Sequence, residues 1–244
     1  MKFNVVIPAR FESARLPGKP LLEIVGIPMV VRTAMRATKS GAKTVIIATD
    51  DQRIVTVAQE YGFEALMTDK KHKSGTDRVL DVANQKDWSE EEIIINVQGD
   101  EPLINPELVK LIAKSIHDNN LSYVSACSDF ENFDEYLNPN NVKVAYNQDQ
   151  FATKFYRNPS VDIEKDWDPK KQFHHIGIYG YKKKLLDNFC NFPISPLEKS
   201  LKLEQLRAIE NNIKLKILKY EDKVFRGIDT PEDLVFIRKY LEKE

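Results

Sequence analysis

Through the first 120 residues, short apolar runs alternate with stretches whose apolar positions recur three or four residues apart. The runs at residues 3–7, 44–49, 64–67 and 92–98 are short, and three of them are rich in Val and Ile, as expected of strands buried on both faces. The stretches 29–39, 52–61, 77–86 and 106–119 predict helices. In the second of these, Ile54, Val55, Ala58 and Tyr61 fall on one helical face, and in the fourth Leu108, Leu111, Ile112 and Ile116 do the same, so both stripes read as core-facing. Strand and helix in alternation predict an α/β fold: a mainly parallel twisted sheet with helices on both faces.

Beyond residue 120 the texture changes. Strands at 123–126, 142–146, 151–156 and 174–179, separated by turns rich in Asn, Asp and Pro, predict a mixed-sheet extension. Helices return at 197–209 and 231–241, the last with Thr230 placed to cap it and Pro231 suited to its first position. No repeat, low-complexity tract or linker interrupts the chain. The expectation is one domain over residues 1–244, with a sub-lobe at about 123–181.

Composition narrows the function classes more than it identifies one. With 36 Lys and Arg against 37 Asp and Glu, the net charge is -1, which gives no basic field for non-specific nucleic-acid binding; a polyanion would need a local cluster. Cys127 and Cys190 are too few for a disulfide framework, and no Cys/His spacing suggests zinc. The N-terminal apolar run is too short for a signal peptide and no stretch approaches a membrane span, so the expected compartment is the cytoplasm.

A local cluster does exist. The segment after the first strand, Pro8-Ala9-Arg10-Phe11-Glu12-Ser13-Ala14-Arg15-Leu16-Pro17-Gly18-Lys19-Pro20, carries three cations at the carboxyl end of a strand, where open parallel sheets bind ligands. Arg10 and Arg15 can fork around phosphate oxygens while Lys19 adds a compact charge, which together suit a polyphosphate. The spacing is neither that of a P-loop nor that of a dinucleotide-binding Gly-rich turn.

This loop, with Ser74-Gly75-Thr76-Asp77-Arg78, Asn96-Val97-Gln98-Gly99-Asp100-Glu101-Pro102, His175-Ile176-Gly177-Ile178-Tyr179-Gly180-Tyr181, Leu203-Glu204-Gln205-Leu206-Arg207 and Gly227-Ile228-Asp229-Thr230-Pro231-Glu232-Asp233, strongly resembles the 3-deoxy-manno-octulosonate (Kdo) cytidylyltransferases of lipopolysaccharide biosynthesis. The motifs stand in family order over nearly the whole chain. The resemblance implies a Rossmann-like nucleotidyltransferase fold, a homodimer, CTP and Kdo as substrates and Mg2+ as cofactor. By position, it implies that Pro8, Ala9, Arg10, Arg15, Lys19 and Ser74 hold CTP, and Asp100 and Asp229 the metal; Arg15, Lys19, Asp100 and Asp229 are the implied catalytic groups. Gln98, Arg157, His175, Tyr179, Glu204 and Gln205 fall where the family contacts the sugar acid. Arg78 opens a helix, where it could pair with Asp77 or a phosphate.

The chain departs from the family pattern at 154–161, keeping Phe155, Arg157 and Pro159 but changing their neighbours, and again at Val224-Phe225-Arg226. The acceptor therefore stays open between Kdo, 8-amino-Kdo and a sialic-acid-like nonulosonic acid. A non-catalytic nucleotide-binding protein on the same fold is the remaining alternative.

Overall fold

The computed structural model describes residues 1–13, 15–159, 168 and 170–243. Ala14 and residues 160 and 161 of the divergent 154–161 segment lie outside the described residues. Nine described strands form one sheet: β1 (Asn4–Ala9), β4 (Thr44–Thr49), β5 (Glu64–Met67), β6 (Ile93–Asn96), β7 (Tyr123–Ser128), β8 (Lys143–Tyr146), β9 (Ala152–Tyr156), β10 (Phe173–Lys182) and β11 (Lys216–Lys219). A small hairpin, β2 (Glu23–Ile24) with β3 (Ile27–Pro28), stands apart.

The order β11-β7-β10-β6-β1-β4-β5 is parallel on both flanks, and β10 runs antiparallel between β7 and β6. This is the expected mainly parallel sheet, and the mixed extension is real. It joins the central sheet through β7 and β10, with β8 and β9 branching from β10.

Pleating explains why the inner strands are apolar on both faces over their central positions. Val5, Ile7, Ile47 and Ile95 pack on one face with α1 (Met29–Thr38), α2 (Gln52–Glu60) and α4 (Pro106–Asp118). Val6, Ile46 and Ile94 pack on the other with α3 (Gly75–Gln85), α6 (Lys183–Asn191) and α8 (Leu206–Glu210). Each such side chain contributes about 2 kcal/mol of burial free energy, so a register slip by one residue would exchange two apolar layers rather than expose one.

Four segments differ from the expectation. The helix expected at 197–209 is two, α7 (Pro196–Leu201) and α8, with Lys202 between them in the left-handed region at φ 53. The break is tertiary: the Arg207 guanidinium makes a buried two-pronged pair with Glu198 (2.8 and 2.5 Å), and Glu198 also returns to the Ser195 N–H as part of α7's capping box. A short α5 (Phe133–Leu137), α6 and β11 are additional.

A third apolar cluster lies beneath one end of the sheet and joins Leu16, Ile24, Met29, Leu103 and Ile228 to Leu234 and Ile237 of α9 (Pro231–Leu241). Thr230 caps that helix as expected, with Pro231 in its first turn, and Asp233 completes a capping box with it.

Candidate functional site

The chain leaves β1, winds outward through β4 and β5, and returns on the other side of β1 as β6, so the order reverses between β1 and β6. Such a reversal opens a crevice beyond the strand ends. Both loops that enter it carry the predicted residues.

After β1 the backbone turns through Pro17 and the left-handed Gly18 (φ 65) into a 3-10 turn, Lys19–Leu21, which points Lys19 inward. Its ammonium donates to Asp100 Oδ2 at 2.6 Å and to Asp229 Oδ1 at 3.1 Å. Burial works against that charge, but the two carboxylates more than offset it, so the lysine is held above its ordinary pKa. Asp100 follows β6 in a turn closed by Glu101 N–H to Gln98 O (3.1 Å) and by Gly99 N–H to Pro8 O (3.3 Å).

Asp229 arrives from the far end of the chain. The Ile228 N–H donates to Asp100 O at 2.9 Å, and the Asp233 carboxylate accepts the Asp229 and Thr230 N–H groups at 2.9 and 2.8 Å. Capping and presentation of the Asp229 side chain thus occupy one segment. Arg15 pairs with Asp229 at 3.0 Å, but both side chains are more than half exposed. Such a pair is worth at most about 1 kcal/mol, so a more highly charged anion can capture the guanidinium.

Two cavities meet here. The smaller, about 320 Å³, is bounded by Pro8, Ala9, Arg10, Lys19 and Gly99. The larger, about 1020 Å³, extends past Arg157, His175, Tyr179, Glu204 and Gln205. Arg15, Gly75, Gln98, Asp100 and Asp229 line both.

The large cavity is polar, and burial shifts several of its titratable groups toward their neutral forms. His175 is 6% exposed, its Nε2 lies 2.9 Å from Ser125 Oγ, and burial with His174 beside it lowers its pKa to about 3, so it is a neutral imidazole at physiological pH. The Tyr179 hydroxyl donates to Gln205 Oε1 at 3.3 Å and burial raises its pKa well above the ordinary value. Burial also raises Glu204, while hydroxyl bonds from Thr76 and Ser74 pull it part of the way back. Arg157 donates to Leu201 O (3.2 Å) and Pro139 O (3.3 Å), both neutral acceptors.

Two residues stand differently from the expectation. Ser74 caps α3 through Asp77 N–H (3.1 Å), and its neighbours Gly75 and Thr76 line the large cavity in its stead. Arg78 is a correction: it is 1% exposed and pairs with Asp50 at 2.5 Å and Thr68 Oγ1 at 2.7 Å, not with Asp77. It lines neither cavity and fastens the ends of β4 and β5, because its place one turn into α3 points it back onto the sheet.

Sequence reasoning missed Asn138, Pro139, Asn140, Asn141, His174, Lys202 and Arg226, all of which line the large cavity. The Asn-Pro-Asn-Asn run was legible as a turn but not as a wall of the site.

Comparison with known proteins identifies the family. A family model described as cytidylyltransferase matches residues 4–217. A 3-deoxy-manno-octulosonate cytidylyltransferase of Photobacterium profundum is 40% identical over 98% of both chains, and one of Francisella tularensis subsp. holarctica is 38% identical over 97% of both. A solved CMP:2-keto-3-deoxy-manno-octonic acid synthetase complexed with CTP superposes with a TM-score of 0.90 at 36% identity, covering 100% of this chain and 99% of the other. The chain belongs to the cytidylyltransferase family and, within it, to the 3-deoxy-manno-octulosonate cytidylyltransferases.

Proposed function

We propose that the protein joins CTP to Kdo, giving CMP-Kdo and pyrophosphate, and so serves lipopolysaccharide biosynthesis. The observation that carries this reading is the meeting of two cavities at one pair of carboxylates, Asp100 and Asp229. The nucleotide enters the smaller cavity, with its base against the backbone of Pro8 and Ala9 and its phosphates toward Arg10, Arg15 and Lys19. The sugar acid occupies the larger one, where Arg157 is the cation for its carboxylate and Gln98, His175, Tyr179, Glu204 and Gln205 are partners for its hydroxyls.

In the reaction the anomeric hydroxyl gives up its proton to solvent as its oxygen forms a bond to the α-phosphorus, and the bond from that phosphorus to the bridging oxygen breaks, releasing pyrophosphate. The protein contributes placement and charge: Lys19 and Arg15 exchange their carboxylate partners for phosphate oxygens as negative charge moves onto the leaving group. His175, held neutral, adds a hydrogen-bonding edge without adding charge.

Mg2+ is the cofactor this reading requires, and the donor set suits it. Two hard carboxylates already share one cation, the Lys19 ammonium, and Mg2+ takes one or two carboxylates with phosphate and water oxygens completing its shell. Asp100 and Asp229 would hold it; bound there, it would neutralise phosphate charge and acidify the attacking hydroxyl. A homodimer and a cytoplasmic location complete the proposal; no helix among the described residues is long and apolar enough to cross a membrane.

The test is pyrophosphate release with CTP and a panel of Kdo, 8-amino-Kdo and sialic acid. Preferential turnover of Kdo is expected, preference for another acid overturns the acceptor, and no turnover overturns catalysis. Asp100→Asn should stay folded and lose turnover by about two orders of magnitude or more; near-normal turnover would refute its role. Light scattering on the eluting peak of a sizing column reads the dimer, and an Mg2+ titration after chelation reads the metal.

A further inference from the structure

Behind the wall of the large cavity lies Lys143, the first residue of β8, with none of its surface exposed. Its ammonium donates to Asn138 O at 2.8 Å and Arg157 O at 2.7 Å, and lies 5.6 Å from the ring centre of Tyr136. A buried charge normally has a charged partner. Among the described residues Lys143 has none, and Arg157, whose guanidinium also meets only carbonyl oxygens, has none either. Two adjacent cations, Arg157 in the cavity wall and Lys143 behind it, thus stand without a carboxylate between them.

The other groups around Lys143 do not supply one. Its register partners are His174 on β10 and Tyr156 on β9. His174 is held neutral at physiological pH, its pKa lowered to about 4 by burial, and burial raises the Tyr156 phenol far above its usual value. On α5, Glu135 is committed to Arg226, and Tyr136 offers a ring.

We infer that Lys143 is a positioning residue for the acceptor: it ties the Asn138–Asn141 turn to the Arg157 end of β9, and the sugar's carboxylate is the counter-ion that the Lys143 and Arg157 pair lacks. The inference rests on the proposed reaction and deepens its sugar end. Both segments that Lys143 ties together line the cavity, through Asn138, Pro139, Asn140 and Asn141 on one side and Arg157 on the other. An anion seated against Arg157 would relieve the repulsion between the two cations, and withdrawing the Lys143 charge would weaken its hold.

The same arrangement sets a pH dependence. Burial, with Arg157 adding to it, lowers the Lys143 pKa from 10.5 to about 8. Below that value the ammonium is charged; above it the charge is lost and acceptor binding should weaken.

Two measurements on the full chain test this. The first is steady-state kinetics of Lys143→Met, which keeps length and apolar bulk but removes charge and donors. The expected result is a KM for Kdo raised about tenfold or more with the KM for CTP within about twofold of wild type, the pattern of a lost acceptor contact. An unchanged KM for Kdo in a folded variant, or equal rises in both constants, overturns the inference. The second is the wild-type pH profile from about pH 7 to 9.5, a range in which few side chains other than a perturbed lysine change charge. The KM for Kdo should climb above pH 8 while that for CTP does not, and Lys143→Met should be flat. Should Lys143→Met fail to fold, the wild-type profile decides alone, and a flat one overturns the inference. Wild-type turnover of another sugar acid in place of Kdo defeats the acceptor assignment only, and the same two measurements then apply to that acid. Turnover of none defeats both.

Discussion

The close approach of the Asp100 turn to β1 permits a quantitative test through Gly99→Ala. A Cβ built on Gly99 would lie 2.9 Å from Pro8 O and 3.3 Å from the Ala9 Cβ. Neither neighbour can yield easily, since both are final residues of β1, paired in register with Ala48 and Thr49 of β4. The turn must instead lift by about half an ångström to restore ordinary contact. That stretches the Gly99 N–H bond to Pro8 O (3.3 Å) and the Thr33 hydroxyl bond to Gly99 O (3.2 Å). Two weakened hydrogen bonds and overpacking together cost about 3 kcal/mol, which lowers Tm by roughly 6–12 °C for a chain of this size.

Asp100 is the next residue and moves with the turn, away from Lys19 and Asp229. A displacement of this size costs about tenfold in kcat, given that one ångström can cost a hundredfold. Turnover by pyrophosphate release, measured well below both melting temperatures and beside a thermal melt, separates the two effects. A variant that melts early yet keeps kcat within twofold of wild type would show that the alignment of Asp100 does not depend on this contact, and the reasoning would fail.

Glu198→Gln should remove the charge partner of buried Arg207, and such a loss costs about 3–5 kcal/mol; a urea midpoint close to wild type would contradict the reading of that pair as the brace between α7 and α8. Acid should destabilise the protein through His175. Its folded pKa of about 3 lies below the unfolded value of 6.5, so its contribution is complete above pH 6.5 and is lost as pH falls toward 3. At pH 5 the loss is about 2 kcal/mol. Urea unfolding at pH 7 and pH 5 should show a smaller acid loss in His175→Gln, and equal losses would count against a buried neutral imidazole.

The first half of the fold was legible because its strands are covered on both faces and its helices on one, which leaves clean periodicities such as that of Ile54, Val55 and Ala58. The α7–α8 break was not, because no Gly or Pro marks it; Lys202 takes up a left-handed conformation under the tertiary pull of Arg207 on Glu198. The α6 helix follows directly on β10, with Lys182 at its N-cap and no side-chain cap, and β11 is only four residues, so neither carries a strong local signal. In the site, Lys19 stood out as a charge on a loop after a buried strand, whereas Asp100 and Asp229 were named through the family resemblance of their motifs. Lys143 did not stand out, since a lysine opening a short strand reads as a solvated one until the partners of its ammonium are known. Arg78 misled for the opposite reason: beside Ser74 and Gly75 it resembles a phosphate ligand, and only its burial against Asp50 reveals its structural duty.

The third apolar cluster gives the reacting charges a common foundation. Leu16 adjoins Arg15, Leu103 follows Asp100 by three residues, and Ile228 adjoins Asp229, so three strangers in sequence stand on one greasy plinth whose far side is Leu234 and Ile237. The C-terminal helix therefore acts as the fulcrum of a charge alignment that it touches directly only through the Asp233 carboxylate on the Asp229 backbone. A fragment ending before it could lay down the sheet and would keep Asp229, but would lack both the Asp233 carboxylate that holds the Asp229 backbone and the apolar footing beneath it.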